Sequence, residues 1–364
     1  MVLPRIPYTA PFPPPTIHPP CATSLPTAVS ALSSFLAHPR HQKIALITGA
    51  GISVASGLRD YRGASGTYRL NRQYRPIFFH EFCGQHLSRQ RYWARSFIGW
   101  PSTSRARPNA AHHAVARLRV LGALSGVVTQ NVDSLHGVGP DVLELHGFLR
   151  SVACLHCRTA MSRDAWQRRL EDLNPLWAEL LRDADGGKLR MNADGDVDLP
   201  GADYARFRYP ACPVCLERDA GRAVRVDRDG AVMAAGADGV VAVVKPCVTF
   251  FGESVDPLVK TRAELLVREA DALLVVGTSL ATYSAWRLVR DAEKAGKGLA
   301  VVNIGGVRGE DAFFGDGRAA GERVRLEIAA AEVLAGVVEA FGGKVEMEEE
   351  LPRPTPSSWT GVEG

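Results

Sequence analysis

The sequence predicts an α/β fold in which a doubly wound parallel sheet carries a smaller inserted domain. Four short apolar runs end in glycine or small polar residues, which is typical of buried parallel strands that lead into tight turns. Helical patterns such as "PNAAHHAVARLRVLG" and "DPLVKTRAELLVREA" lie between strands, as crossover helices do. A Rossmann-like sheet with helices on both faces follows from this alternation. The four runs are "KIALITGAG", "LSGVVTQN", "ALLVVGTS" and "GLAVVNIGG".

The predicted sheet domain is assembled from three segments, residues 28–65, 106–149 and 246–340. Residues 66–105 are rich in arginine and aromatic residues without a strong strand, and we interpret them as a helical insertion. Residues 150–245 contain two C-x-x-C pairs and several acid–glycine turns. They are interpreted as a small zinc-ribbon domain.

Length and composition limit the class of protein. The 364 residues are enough for one large domain and a smaller one, and 46% hydrophobic with 23% charged residues is ordinary for a soluble globular protein. No apolar run approaches about 18 residues, so no membrane span is predicted. The net charge of +4 is too small to indicate a nucleic-acid partner. We expect a monomer.

The chain ends differ from the rest. No Asp or Glu precedes Asp60, and residues 1–27 are rich in Pro, Ser, Thr and Ala with Arg5 as their one fixed positive side chain. This composition fits a mitochondrial transit peptide, which would place the protein in the mitochondrial matrix. It equally fits a disordered Pro-rich tail on a cytoplasmic or nuclear protein. Residues 341–364 are interpreted as a disordered acidic tail.

Four cysteines form two C-x-x-C pairs separated by 54 residues. Four thiolates in two short-spaced pairs match a tetrahedral structural Zn²⁺ site, which leaves no open position for chemistry. Two redox pairs or disulfides are the alternative. The predicted ligands are Cys154, Cys157, Cys212 and Cys215.

A glycine-rich turn follows the first strand. Gly49 and Gly51 allow the backbone to turn sharply and to approach a phosphate closely. Val54 stands where a dehydrogenase fingerprint needs Gly or Ala, and no acid ends a second strand about 20 residues on. Dinucleotide binding without hydride transfer is therefore predicted, with an ordinary strand–helix turn as the alternative. Asp60 and Arg62 add an acid and a base just beyond the turn.

Polar groups follow the strands at their carboxyl ends, where open parallel sheets bind ligands. "TQNVDSLH", residues 129–136, places two amides, a carboxylate and an imidazole directly after an apolar run. Taken alone, such residues usually cap a turn. The four strand ends are expected to surround one crevice.

Together these motifs resemble the sirtuin family of NAD-dependent protein-lysine deacylases. The matching segments occur in the family's order across residues 28–340, and "RQRYWARSFIGWP" and "LNPLW" resemble its class II, sirtuin-4-like mitochondrial branch. Three departures are Arg59, where the family usually has proline, residues 216–241, which resemble an insertion before the return strand, and residues 324–334, a weak version of the segment that closes over adenine. The further matches are "GAGISVASGLRDYR", "TQNVDSLH", "ELHG", both C-x-x-C pairs, "KPCVTFFGE", "VVGTSL" and "VNIGG".

The resemblance implies an enzyme that uses NAD to remove acyl groups from lysine side chains of protein substrates. Nicotinamide, free lysine and O-acyl-ADP-ribose would be released. Positioning of the acyl oxygen against the ribose supplies much of the rate, and a ribose hydroxyl must lose a proton. A histidine with a pKa near neutrality suits that transfer. The implied catalytic residues are His146, Asn131 and Asp133.

The resemblance also implies the remaining site residues. An apolar tunnel beside "VTFFGE", expected as an edge strand that pairs with the substrate peptide, would admit a lysine only after acylation has removed its charge. Its implied substrate contacts are Val248, Phe250 and Gly252. The implied NAD contacts are Gly49, Ala50, Gly51, Ser53, Asp60, Tyr61, Arg62, Gln130, Asn131, Asp133, Gly277, Thr278, Ser279, Asn303, Ile304 and Gly305.

Tyr92 and Arg95 lie three residues apart, hence on one face if the segment is helical. Such a pair resembles the feature by which some sirtuins recognise acidic acyl chains. The alternative is that Arg95 is a solvated or structural arginine and that Trp93 packs the small domain.

Two other functions use the same residues: a mono-ADP-ribosyltransferase at the same NAD site, and a non-enzymatic regulator that binds NAD or ADP-ribose. Asn131, Asp133 and His146 argue against the regulator, because a pure binder needs no base beside the ribose.

Overall fold

The computed structural model of the chain describes residues 9–10, 12–72, 74–184, 192, 194–197, 201–218, 225–233, 242–314, 321–347 and 351. Within these residues the fold is mixed α/β, with one six-stranded parallel sheet and one three-stranded antiparallel sheet. The predicted fold class is confirmed.

The six-stranded sheet has the strand order β3-β2-β1-β7-β8-β9. All four apolar runs of the sequence form strands of this sheet, and they are buried throughout. Strands β2 and β3 follow β1 on one side, and β7, β8 and β9 follow on the other. The strand order therefore switches between β1 and β7, which is where open parallel sheets bind ligands. The strands are β1 (Ile44–Thr48), β2 (Gly126–Thr129), β3 (Val142–Glu144), β7 (Ala272–Val276), β8 (Gly298–Val302) and β9 (Arg323–Leu326).

Helices cover both faces of this sheet, because successive strand residues point to opposite sides. Leu46 packs with α1, α5 and α12, whereas Ile47 packs with α9 and α10. Two apolar cores result, so the sheet is doubly wound as predicted. The helices are α1 (Leu25–Leu36), α5 (Ala110–Val120), α9 (Pro257–Glu269), α10 (Tyr283–Lys294), α11 (Glu310–Phe314) and α12 (Ala330–Ala340).

The smaller region is built on the antiparallel sheet β5-β4-β6. Its core packs aromatic side chains, including Trp93 and Trp166, against the cysteine cluster. Strand β6 runs across the predicted boundary at residue 246 and pairs with β4 rather than with the large sheet. The elements are β4 (Gly147–Cys154), β5 (Ala160–Ser162), β6 (Val244–Val248), α2 (Thr67–Leu70), α3 (Phe79–Gly84), α4 (His86–Arg105), α6 (Arg163–Leu173), α7 (Pro175–Ala184) and α8 (Pro213–Arg218).

Within the described residues, the amino-terminal segment is ordered from residue 12 onward, which differs from the disordered alternative predicted for residues 1–27. Helix α1 begins at Leu25, and the backbone N–H of His18 donates to Arg325 O at 3.0 Å while the N–H of Arg325 donates to His18 O at 2.6 Å. Ile17 packs on the core of the large sheet. Pairing with the edge strand β9 thus orders residues that composition alone suggests are unstructured.

Among the described helices, none combines the length and the apolarity that crossing a bilayer requires. Most of the predicted acidic tail lies outside the described residues, and Val345 near its start packs against the core of the large sheet.

Candidate functional site

One large cavity lies at the carboxyl ends of β1, β2, β7 and β8, with a volume of about 1160 Å³. This exceeds the roughly 300–1,000 Å³ of ordinary small-molecule sites and leaves room for a dinucleotide beside a second ligand. Every residue predicted to contact NAD or substrate lines this cavity, apart from Arg95. The strand ends that the sequence separates by more than 200 residues therefore meet at one place.

The glycine-rich turn touches the turn after β7. The backbone N–H of Gly51 donates to Gly277 O at 2.8 Å, and a Cβ on Gly51 would lie 2.8 Å from the same oxygen. A Cβ on Gly49 would lie 2.6 Å from the Cβ of Thr278. Gly277 itself has φ +63°, a backbone conformation that side chains disfavour. The turns after β1 and β7 can touch and form one cradle because the residues at their contact are glycines.

The side chains of Asn131 and Asp133 in "TQNVDSLH" are fixed by hydrogen bonds to uncharged groups. Asn131 Nδ2 donates to Gly49 O and to Ser53 Oγ, each at 3.1 Å. Asp133 accepts from Ser53 Oγ at 2.7 Å and from the backbone N–H of Leu135 at 3.0 Å. Burial raises the pKa of Asp133, while these two hydrogen bonds oppose the rise. The site therefore holds a buried carboxyl group oriented by a hydroxyl and an amide.

His146 lies on the wall of the same cavity, just after β3. Its Nδ1 is 3.0 Å from Gln130 O, and its Nε2 is 2.7 Å from Ser284 Oγ. Because a carbonyl oxygen only accepts, Nδ1 must carry the proton, which leaves the lone pair on Nε2. Burial lowers the pKa of His146 below its ordinary value. The imidazole is thus neutral near pH 7 and able to take a proton on Nε2.

Ser284 and Thr282 belong to the site but are not indicated by any motif. Ser284 lies in the first turn of α10, and Thr282 Oγ1 donates to Gln130 Oε1 at 2.9 Å. Gln130 Nε2 in turn donates to Thr48 O at 3.1 Å and to Thr278 Oγ1 at 2.9 Å. The amide of Gln130 thereby ties three strand ends together around the cavity. Its position in "TQN" was the available signal, but its partners lie more than 80 residues away.

The far end of the cavity is formed by the turn after β8. Asn303 Nδ2 donates to Ile304 O and Gly305 O, each at 3.0 Å. The start of α12, from the segment identified as a weak match, lines this end, and so does Phe12 of the amino-terminal segment. Phe12 is a lining residue that the sequence reasoning missed.

The acidic and basic groups after the glycine-rich turn are also at the cavity wall. Asp60 accepts from the backbone N–H of Gly63 at 2.9 Å, and burial raises the pKa of its carboxyl group. The guanidinium of Arg62 lies 5.2 Å from the ring centre of Tyr68, and burial lowers its pKa. Tyr61 lines the same wall.

The substrate side is apolar. Val248 and Phe250 line the cavity, and the ring of Tyr92 lies 5.0 Å from that of Phe250. The expected edge strand over "VTFFGE" is wrong beyond its first residue, since β6 ends at Val248. Glu253 explains the early end, because its carboxylate accepts from the backbone N–H of Phe250 at 2.8 Å and so curls the chain into a turn.

Arg95 does not reach the cavity wall. Its side chain is 1% exposed, and its Nη2 donates to Asp196 at 2.8 Å to Oδ2 and 3.0 Å to Oδ1. The guanidinium also lies 5.2 Å from the ring centre of Tyr74. Of the predicted pair only Tyr92 faces the cavity, because Arg95 is neutralised by a carboxylate from the other insertion.

The four predicted zinc ligands converge. Cys154 Sγ is 3.6 Å from Cys215 Sγ, and Cys157 Sγ is 3.6 Å from Cys212 Sγ. All four sulfurs lie within 4.8 Å of one another, and none forms a disulfide. Tetrahedral Zn–S bonds of about 2.3 Å imply sulfur separations of about 3.8 Å, so the cluster fits Zn²⁺. Four thiolates complete the coordination, and the ion is structural.

The chain matches the family model described as the Sir2 family over residues 49–284. It is 40% identical over 294 residues to the NAD-dependent protein deacylase SIR4 of Batrachochytrium dendrobatidis, covering 78% of this chain and 88% of that protein. It is 41% identical over 285 residues to an NAD-dependent protein deacetylase of Bordetella bronchiseptica, covering 78% and 90%. With the NAD-dependent protein deacylase SRT2 of Arabidopsis thaliana it shares 36% identity over 279 residues, covering 74% and 68%.

Solved structures share the fold. A Sir2 protein with a deacetylated p53 peptide and 3′-O-acetyl ADP-ribose has a TM-score of 0.58 at 21% identity, covering 87% of this chain and 99% of that one. A structure described as the basis for the mechanism and regulation of Sir2 enzymes has a TM-score of 0.53 at 26% identity, covering 87% and 97%.

Proposed function

The chain belongs to the Sir2 family, and from this premise we infer that it is an NAD-dependent enzyme that removes acyl groups from lysine side chains of proteins. The relatives that cover most of its length are NAD-dependent protein deacylases and deacetylases. The single observation that carries the inference is the position of His146, with its basic Nε2 on the wall of the cavity that Asn131 and Asp133 also line.

NAD fits the cradle between the turns after β1 and β7. The cofactor would approach the protein backbone at Gly49, Gly51 and Gly277. A side chain at any of these positions would collide with the facing turn. When bound, NAD supplies the ribose carbon that accepts the acyl oxygen and the nicotinamide that leaves. Asn303 and the turn after β8 would hold the adenosine end.

The chain's own residues then orient groups and move a proton. The hydrogen bond from Nδ1 to Gln130 O fixes the ring of His146 and its tautomer, so that Nε2 points the lone pair at the bonded hydroxyl of Ser284. A ribose hydroxyl that takes the place of this serine hydroxyl would give its proton to Nε2. Asp133, held by Ser53, would accept a hydrogen bond from the sugar.

The acyl-lysine side chain would enter along Val248, Phe250 and Tyr92. A charged ammonium group in this apolar channel would be costly to desolvate, whereas an acylated lysine carries no charge. The channel therefore favours the acylated substrate over the free lysine product.

His146→Ala tests this function. We expect the variant to lose acyl removal by on the order of a hundredfold or more, the usual scale of general-base catalysis, because no other group replaces Nε2. The measurement is mass spectrometry of a mixed acyl-lysine peptide panel incubated with NAD. His156→Ala is the matched control, since His156 is exposed beside the zinc cluster and lies outside the cavity. Wild-type turnover by the His146 variant would contradict the proposal.

We also propose that the protein is a class II sirtuin of the mitochondrial matrix. The support is the absence of acidic residues before Asp60 and the resemblance of "RQRYWARSFIGWP" to that branch. A full-length fluorescent fusion should overlap with a matrix marker, and an even cytoplasmic or nuclear signal would contradict this. That the protein acts as a monomer and binds no nucleic acid stay predictions.

A further inference from the structure

The guanidinium of Arg95 forms an ion pair with a carboxylate of the protein itself. Asp196 contacts Arg95 through both of its carboxylate oxygens, and Asp196 lines the substrate cavity whereas Arg95 lies behind it on α4. Tyr92, one turn earlier on the same helix, faces that cavity. Asp196 therefore lies between the cavity and the cation that could recognise an acid at the end of an acyl chain.

The segment that carries Asp196 is seated on α4 by backbone contacts. The N–H of Val197 donates to Arg95 O at 3.2 Å, and the N–H of Gly195 donates to Asn192 O at 3.1 Å. Asn192 Nδ2 also donates to Asp196 Oδ1 at 2.7 Å. Gly99 of α4 admits this close approach, because a Cβ there would collide with Gly195 O. The carboxylate of Asp196 is thus held in a defined position.

A second carboxylate accompanies the first. Asp194 also lines the cavity and accepts a hydrogen bond from the hydroxyl of Tyr74. Burial raises the pKa of Asp196, and so does the neighbouring Asp194, while Arg95 opposes the rise. The contact with Asp196 pairs the positive charge of Arg95 with a carboxylate. Arg95 consequently offers no unbalanced positive charge to an anionic ligand.

We propose that Asp196 pairs with Arg95 in the place of a substrate carboxylate. This pairing makes the enzyme select lysines with neutral acyl chains over lysines with acidic ones. The proposal rests on the deacylase function above. A glutaryl or succinyl carboxylate would have to approach two carboxyl groups in a cavity of low dielectric, where like charges repel strongly. A butyryl chain carries no charge and does not meet this repulsion.

The test compares kcat/KM for glutaryl-lysine and butyryl-lysine in one peptide sequence with NAD. We expect the wild type to prefer butyryl-lysine by on the order of tenfold or more. Asp196→Asn keeps the shape and an acceptor for Asn192 but releases Arg95, so the glutaryl-to-butyryl ratio should rise by on the order of tenfold to a hundredfold, the worth of one charge-assisted hydrogen bond. The double variant Arg95→Gln with Asp196→Asn should lose this gain.

Asp194→Asn is the matched control, because it removes a carboxylate from the same wall without releasing Arg95, and its ratio should rise less. Equal wild-type turnover of the two peptides would overturn the assignment, whether or not any variant folds. So would an unchanged ratio in a folded, zinc-loaded Asp196→Asn protein, or a gain that survives in the double variant. Turnover of neither peptide by the wild type would instead overturn the deacylase function itself.

Discussion

The two regions of the molecule are held together in different ways. The cores on either face of the six-stranded sheet consist of aliphatic residues such as Leu46 and Leu274, with Phe35 among the few aromatics. The region around the three-stranded sheet instead packs aromatic rings and a cluster of thiols with fully buried arginines. Burial of apolar area stabilises both regions, and the second adds a metal site and specific polar contacts.

The buried arginines of the smaller region show how specific those contacts are. Arg89 donates to Tyr209 Oη and to the carbonyl oxygens of Phe82 and Cys83, each at 2.8 Å. Arg163 donates to Gln167 Oε1 at 2.8 Å and stacks over Trp93. Each guanidinium combines local partners with one from a distant part of the chain, Tyr209 for Arg89 and Ser96 for Arg163. Contacts of this kind are concentrated in the smaller region, and Arg325 of β9, which pairs with Glu310, is their counterpart in the large one.

Removal of zinc should produce the largest difference between the two regions. A structural Zn²⁺ of this type contributes on the order of 10–16 kcal/mol of apparent binding energy to folding. Treatment with a strong chelator should therefore raise amide hydrogen exchange in β4 and α6 far more than in β7 and β8. Hydrogen exchange followed by mass spectrometry measures this directly.

Cys215→Ser should reproduce the effect of the chelator, and Cys21→Ser is its control, because Cys21 is exposed and far from the cluster in sequence. An equal rise of exchange in both sheets would break the comparison, since it would mean that the two regions unfold as one unit.

A smaller effect should appear in the large region on mild acidification. His112 and His136 are buried with ring centres 4.8 Å apart, and His136 Nε2 lies 2.9 Å from Thr48 Oγ1. Burial lowers the pKa of both imidazoles, that of His136 to about 3. In the unfolded chain they bind protons near their ordinary pKa, so the free energy of unfolding should fall as the pH drops below about 6.5. The loss is about 1.4 kcal/mol per pH unit for each histidine.

Urea unfolding between about pH 7.5 and 5.5, monitored by amide hydrogen exchange in β7, measures this loss. His136→Gln should reduce the pH slope by the share of one histidine, and His156→Gln, at an exposed position, is the control. A slope that is the same in all three proteins would show that other groups cause the acid sensitivity.

The same contrast decides what the sequence could predict. The runs around Ile47 and Val275 predict buried parallel strands because all of their strand residues except Thr48 are apolar, and the carboxyl ends of such strands meet by topology. The cysteine spacing likewise predicts the zinc site. No local pattern, however, indicates that Asp196 meets Arg95 across 101 residues, or that Ser284 meets His146 across 138. Side-chain pairs of this kind depend on the finished fold.

Residues 12–18 determine how far the amino-terminal end of the chain can be trimmed without loss of structure. Phe12 borders the cavity, the carbonyl of Pro13 leaves no room for a side chain on Gly306, and His18 closes the outer edge of the large sheet. Proteolytic trimming that ends before residue 12 would spare all three features. A cut beyond residue 18 would leave β9 with an open edge and remove Phe12 from the cavity wall, so residues 12–18 belong to the folded unit that bears the site.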